Sequence, residues 1–306
     1  MSIKHEKWMA QHGFFYENEE VKEARFQIFK ENVRLIERHN QEGNHTYKLG
    51  INKFADLTNE EFFAKYAKNS IASLKVASLN QSSFVYKNMK DIPASFDWRD
   101  HNAVTAVKDQ GRCGSCWAFS AVATIEGIIA IRSGNLNELS EQHILDCNYK
   151  HEGCNSGTQI NAIDFVIKNG GLASETDYPY TGIPTSCANN KQSSLSSKIT
   201  DIGFIPFNNE TALLEAVANQ PVSVDVDITT WQFYRSGVLT GKCGTNLNHA
   251  VALVGYGESK DGVKFWLVKN SWGLGWGEDG YMKLHRNIDA KEGMCGIAKL
   301  GCYPIA

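Results

Sequence analysis

The chain has 306 residues, of which 42% are hydrophobic, 11% aromatic and 21% charged, which excludes intrinsic disorder, collagen and coiled coil. Its length suits one or two domains. With 31 Lys and Arg against 34 Asp and Glu the net charge is −3, so no basic face awaits a nucleic acid, and no run of about 18 apolar residues marks a membrane span.

Residues 1–13 are polar and charged without an apolar segment, and no secretory signal peptide is expected in them. From Val21 to Asn40 the spacing predicts an amphipathic helix, with Phe26, Phe29, Val33 and Ile36 at i, i+3, i+7 and i+10. That stripe needs a partner surface. A shorter helical pattern follows Phe54-Ala-Asp56 to about Lys68, and residues 69–91, rich in Ser, Asn and Lys, read as an exposed connection. The turn Gly111-Arg-Cys-Gly114 feeds an apolar helix from Ser115-Cys116 to Arg132, and another helix runs from Gln159 to Asn169, stopped by Gly170-Gly171. Beyond Pro221 the period becomes two. Val222, Val224, Val226 and Ile228 alternate with Ser223, Asp225 and Asp227, the pattern of a half-buried strand, and further strands suit 249–255, 264–270 and 281–286. Helices first and strands later, inside one cysteine-bearing region, predict a two-lobed α+β unit.

All eight cysteines lie at or beyond position 113, which separates a Lys/Glu-rich front third from a Gly, Trp and Cys-rich remainder. Clustered cysteines in a chain of this size point to disulfides and an oxidising compartment. Zinc competes, because Cys113-x-x-Cys116 looks like half a tetrahedral site, but no second CxxC or HxxxH stands at finger spacing, and no metal or cofactor is expected. Sequons at Asn44, Asn80 and Asn209 fit a secretory route, although such triplets are common by chance.

A thiol attacks as its thiolate and needs a helix N-terminus or an imidazolium beside it. Cys116 stands at a helix start after a glycine turn. Among nine histidines His249 is best placed, opening a strand, and Asn270 ends the next one, where its amide can orient the imidazole. Gln110, six residues before Cys116, offers an amide to a developing oxyanion. Each has a plainer reading taken singly: a disulfide cysteine, a core histidine, a turn asparagine.

Together they form a pattern. Gln110-Gly-Arg-Cys-Gly-Ser-Cys116-Trp-Ala-Phe-Ser resembles the active-site segment of papain-like cysteine proteases, with His249 and Asn270 lying 133 and 154 residues further on, near the separation of about 130 to 150 expected there. Asn-His-Ala-Val at 248–251 and Asn-Ser-Trp-Gly-Leu-Gly-Trp-Gly at 270–277 resemble the family's other blocks. In front, Arg25, Phe29, Asn32, Ile36 and Asn40 keep the spacing of its helical propeptide motif, and Gly50-Ile-Asn-Lys-Phe-Ala-Asp56 matches its second one. The departure is Val21, where that motif normally has Glu.

This resemblance implies a zymogen of a cathepsin L-like or plant subgroup: an inhibitory propeptide over 1–91 and a single two-lobed peptidase domain over 92–306, helical lobe and β-barrel-like lobe with a cleft between. The propeptide would run through the cleft opposite to substrate and leave at acidic pH. Asp56 is either an acid sensor that loses charge-assisted bonds near pH 4 or an ordinary turn residue. The implied disulfides are Cys113–Cys154, Cys147–Cys187 and Cys243–Cys295, leaving Cys116 as nucleophile and Cys302 as an unpaired thiol or an intermolecular partner. The implied roles are acyl transfer by Cys116, proton transfer by His249, orientation by Asn270 under Trp272, and oxyanion binding by Gln110. Gly157 would pair with substrate backbone, with Ser156 replacing a family glycine beside it, and Thr158, Gln159, Asp225, Ala250 and Leu300 would line the main specificity pocket. Asp225, where most relatives have a small apolar residue, predicts a pocket more polar than usual, still taking an aliphatic or aromatic residue two before the scissile bond, with added tolerance of basic ones. Protein and peptide substrates, a monomer inhibited by its own propeptide, and a vacuolar, lysosomal or secreted location follow, with a lean towards a plant vacuole. A catalytically silent storage or binding protein of the same fold is the alternative, set against the intact Cys116, His249, Asn270 and Gln110.

Overall fold

The computed structural model describes residues 1–67, 84–87, 89, 91–149, 153–188 and 197–306. Most of the expected connection over 69–91, with the Asn80 sequon, lies outside them.

The front third folds on itself before it meets the rest. Helix α2 (Glu19–Glu42) is capped by the Asn18 side chain, which accepts from the Val21 amide, and it buries Phe29, Val33 and Ile36 as the periodicity predicts, leaving Phe26 half-buried. Helix α1 (Ser2–His12) was not expected, because its only buried side chains are His5 and Trp8 and it carries no apolar stripe. Trp8, Phe29, Val33 and Ala55 form a small core of their own.

The polar side chains of α2 act as rungs beneath the loop that follows. Arg25 donates to the Asp56 carbonyl, Asn32 to the carbonyls of Ala55 and Leu57, and Asn40 to that of Leu49. This satisfies backbone that would otherwise be buried unpaired. The loop then makes strand β1 (Tyr47–Leu49) and helix α3 (Asn59–Tyr66), which starts with a Thr58/Glu61 capping box.

Behind this front third lie two lobes with separate cores. The helical lobe holds α4 (Cys116–Ser133), α5 (Glu141–Cys147) and α6 (Gln159–Asn169). By length and composition α4 is apolar enough to cross a membrane; here its apolar surface is buried in the lobe's core and against the second lobe. The other lobe contains α7 (Glu210–Val217) and the strands β3 (Asp201–Phe204), β4 (Val222–Val226), β5 (Tyr234–Leu239), β6 (His249–Glu258), β7 (Lys264–Lys269), β8 (Tyr281–His285) and β9 (Gly301–Ile305). With β1 they run in the order β1-β5-β8-β7-β6-β4-β9-β3, and β2 (Phe96–Asp97) pairs β6. The front third thus supplies the edge strand: Tyr47 pairs with Gly237 and Leu49 with Tyr234. A side chain at Gly237 (φ 86°) would meet the Thr46 carbonyl at 2.4 Å, so only glycine lets the two backbones close.

One expectation fails instructively. Strand β4 is buried on both faces rather than half-buried. Its polar face does not meet solvent because α4 covers it: the Ser120 hydroxyl bonds that of Ser223 at 2.5 Å and donates to the Val251 carbonyl. The three expected disulfides are present, and Cys116 and Cys302 are the free thiols, both buried. A fully buried Cys302 cannot reach a second chain, which removes the intermolecular alternative.

Candidate active site

Cys116 opens α4, fully buried, after the turn cross-linked by Cys113–Cys154. Burial pushes its thiol up to about 12, while the main-chain amides of Ala250, Trp117 and Cys116 itself favour the thiolate. The thiol therefore lies between the helix start and the residue after His249. His249 is also fully buried, with Nε2 2.9 Å from Asn270 Oδ1, and burial lowers its pKa to about 4. The Asn270 contact and the Tyr66 main chain both favour its protonation. Its Nδ1 nevertheless has no hydrogen-bond partner of good geometry.

Trp272 is buried over the imidazole at 4.9 Å between ring centroids. It also meets the front third: Phe54, Phe62 and Tyr66 stand edge-on to it at 5.4, 5.4 and 5.9 Å. Lys53 adds an ion pair to Asp109 at 2.6 Å, one residue before Gln110. Gln232 donates to the Phe54 and Leu57 carbonyls, and Asn52 donates back to the Gln232 carbonyl.

Gln110 is immobilised. Its Nε2 donates to the Cys113 carbonyl at 2.8 Å, its Oε1 accepts from Ser271 at 2.7 Å, and its carbonyl accepts from the Tyr180 hydroxyl at 2.9 Å. One amide hydrogen remains for a further acceptor. Ser271 and Tyr180 were not singled out from the sequence. They reach Gln110 across 161 and 70 residues of chain, and no local pattern announces such contacts.

The remaining candidates lie around the start of α6 and along β4 and β6. Gly157 has no room for a side chain, since a Cβ there would lie 2.2 Å from the Trp117 ring. Ser156 is half-buried beside it, and Thr158 caps α6 by accepting from the Asn161 amide. Gln159 Nε2 donates to Asp225 Oδ2 at 2.5 Å. Asp225 sits opposite Ala250 in the β4–β6 register, its amide donates to the Leu300 carbonyl, and it is fully buried. Its buried carboxylate opposes ionisation of both Cys116 and Cys302, which sets it near both thiols and away from solvent. Among the described residues no group of His, Cys, Asp and Glu is disposed to hold a metal ion.

Residues 92–305 match the family described as papain family cysteine protease, and residues 5–62 match the cathepsin propeptide inhibitor domain. The chain is 47% identical over 315 residues to the senescence-specific cysteine protease SAG39 of Oryza sativa subsp. indica, covering all of this chain and 91% of that one. It is 46% identical over 305 residues to ananain of Ananas comosus, covering 99% and 88%. The proform of Amb a 11, a cysteine protease and ragweed pollen allergen, superposes with a TM-score of 0.91 at 44% identity, over 98% of this chain and 93% of that one.

Proposed function

Because the chain belongs to the papain family of cysteine proteases, we propose that Cys116, His249, Asn270 and Gln110 are its catalytic residues, blocked by the propeptide packed over them. The protein is a cysteine endopeptidase zymogen with its inhibitor domain in the same chain, and the alternative of a silent storage protein is not supported. The carrying observation is the 2.9 Å contact between His249 and Asn270 beside a thiol seated at a helix N-terminus.

In the mature enzyme Cys116 attacks the peptide carbonyl as its thiolate. Its own amide and the free hydrogen of Gln110 Nε2 hold the oxyanion, and His249 protonates the leaving amine. Neutral His249 then activates water to hydrolyse the thioester, while Asn270 keeps the ring in plane and Trp272 shields that contact. The mature domain opens near Ile92 and acts as a monomer on protein and peptide substrates, with Gly157 and Ser156 flanking the substrate backbone. Thr158, Gln159, Asp225, Ala250 and Leu300 form the pocket for the residue two before the scissile bond. Three disulfides support a vacuolar, lysosomal or secreted location, and the plant relatives favour a plant vacuole. Titration with an irreversible epoxysuccinyl reagent after acid activation tests the reading: one equivalent should abolish activity, and Cys116→Ala should take up none. An activated wild-type enzyme that ignores the reagent refutes it.

A further inference from the structure

The start of α4 is unusual for what it lacks. Ser115 occupies the N-cap position, where a serine hydroxyl ordinarily accepts a hydrogen bond from the second or third amide of the helix, yet it makes no such bond. Its Oγ lies instead 2.8 Å from the Tyr180 hydroxyl. Proton counting fixes the direction. The Tyr180 hydroxyl has one hydrogen, given to the Gln110 carbonyl at 2.9 Å, so Ser115 must be the donor to Tyr180. The ring itself is held edge-on to Phe119 at 4.8 Å, and the Tyr180 amide donates to Glu175.

We propose that Tyr180 is a positioning residue: one hydroxyl holds Ser115 away from the helix terminus, so the Trp117 amide stays available to the Cys116 thiolate, and fixes the main chain of Gln110. The physical logic is competition. An amide capped by Ser115 cannot also stabilise a sulfur anion, and the Ala118 amide is already spent on the Ser115 carbonyl, leaving Trp117 as the contested donor. Releasing the hydroxyl lets Ser115 turn to the cap site, and loosens Gln110 at the same time. Besides those amides, the groups acting on the sulfur are the Ala250 amide, the Asp225 carboxylate and, in the activated enzyme, the His249 imidazolium, which is common to all the variants; Tyr180 and Ser115 carry no charge of their own at the pH of the test.

The inference rests on Cys116 being the nucleophile, and the test separates the two. In acid-activated enzyme, Tyr180→Phe keeps the ring and removes the oxygen. The pH midpoint of iodoacetamide alkylation should rise by about half a unit, and kcat/KM should fall about three- to ten-fold, mostly in kcat. Ser115→Ala alone should leave the alkylation midpoint at the wild-type value, and in the Tyr180→Phe/Ser115→Ala double variant the midpoint should return there while kcat stays low. A Tyr180→Phe midpoint equal to wild type, or a double variant that does not restore it, overturns the inference. If Tyr180→Phe does not fold, Ser115→Ala decides, since a raised midpoint there means that the hydroxyl supports the thiolate instead of competing with it. Absence of any alkylation in activated wild type refutes the catalytic reading itself.

Discussion

Tyr66, the last residue of α3, lies with its main chain against the His249 imidazole and favours the ring's protonation, yet Nδ1 makes no hydrogen bond of good geometry. Inhibition is thus electrostatic as well as steric. Burial drives the Cys116 thiol up to about 12 and His249 down to about 4, both directions that disfavour a thiolate–imidazolium pair at neutral pH. Uncleaved zymogen at pH 7 should react with iodoacetamide at least about a hundredfold more slowly than mature enzyme, because only thiolate reacts. Equal rates would show the nucleophile to be ionised beneath the propeptide.

Acid release needs groups that take up protons as the propeptide unfolds. His5 is one: it is boxed by Trp8, Tyr16, Phe26 and Phe29, its Nε2 is buried without a partner, and burial lowers its pKa against the opposing pull of Glu6, Asp56 and Glu23, while Lys22 adds to the lowering. Its contribution is full above the unfolded value of about 6.5 and is lost as the pH falls below it. Glu61 acts the same way at lower pH, its carboxyl depressed by Arg25. His5→Phe should therefore move the midpoint of autoprocessing down by roughly half a pH unit, read by gel across a pH series.

Asp56 works in the opposite sense to a releasing acid sensor. Arg25 bonds only its carbonyl; the carboxylate accepts from the neutral Tyr16 hydroxyl, its other oxygen is unpartnered, and burial raises its pKa. The folded propeptide then binds a proton at Asp56 more readily than the unfolded one, so acidification favours the fold at this residue. Asp56→Asn, which imitates the protonated form, should leave the processing midpoint unchanged or lower. A higher midpoint would restore the sensor role.

Lys108 binds Glu126 at 3.1 Å and Glu141 at 2.9 Å where both carboxylates are buried, and burial raises Glu141 to about 8 even so. Removing the cation leaves two buried acids without it, a loss of about 3–5 kcal/mol. Lys108→Met should lower the urea midpoint of the mature enzyme accordingly, and the deficit should shrink as the pH falls through about 8, where Glu141 takes up its proton. A pH-independent deficit would point to packing alone.

What was legible in the sequence was local. Cys116, His249 and Asn270 sit in contiguous strings, and the stripe of α2 repeats over three turns. What was not legible depends on chain segments meeting at a distance. Ser223 and Asp225 look like a solvent face until α4 is laid against β4, and nothing near Tyr180 signals that its hydroxyl spans Gln110 and Ser115. Helix α1 escaped notice because it buries two aromatic rings against α2 instead of an apolar stripe.

That misread face carries the specificity prediction. Asp225 is fixed by Gln159 at 2.5 Å, and Gln159 Oε1 is buried without a partner, so a pocket lined as proposed would present acceptors and negative charge to an entering side chain. A substrate residue with donors, lysine or arginine, satisfies both, whereas a purely apolar one leaves the Gln159 oxygen unpaired at a cost of about 1–3 kcal/mol. Asp225→Ala should therefore lower kcat/KM for basic relative to leucine residues at that position by about tenfold. It should also ease thiolate formation, since the same carboxylate opposes ionisation of Cys116, and so move the acid limb of alkylation to lower pH. A library profile with a strict apolar preference, unchanged in the variant, would place the Asp225 carboxylate out of reach of the substrate and leave it acting on the sulfur alone.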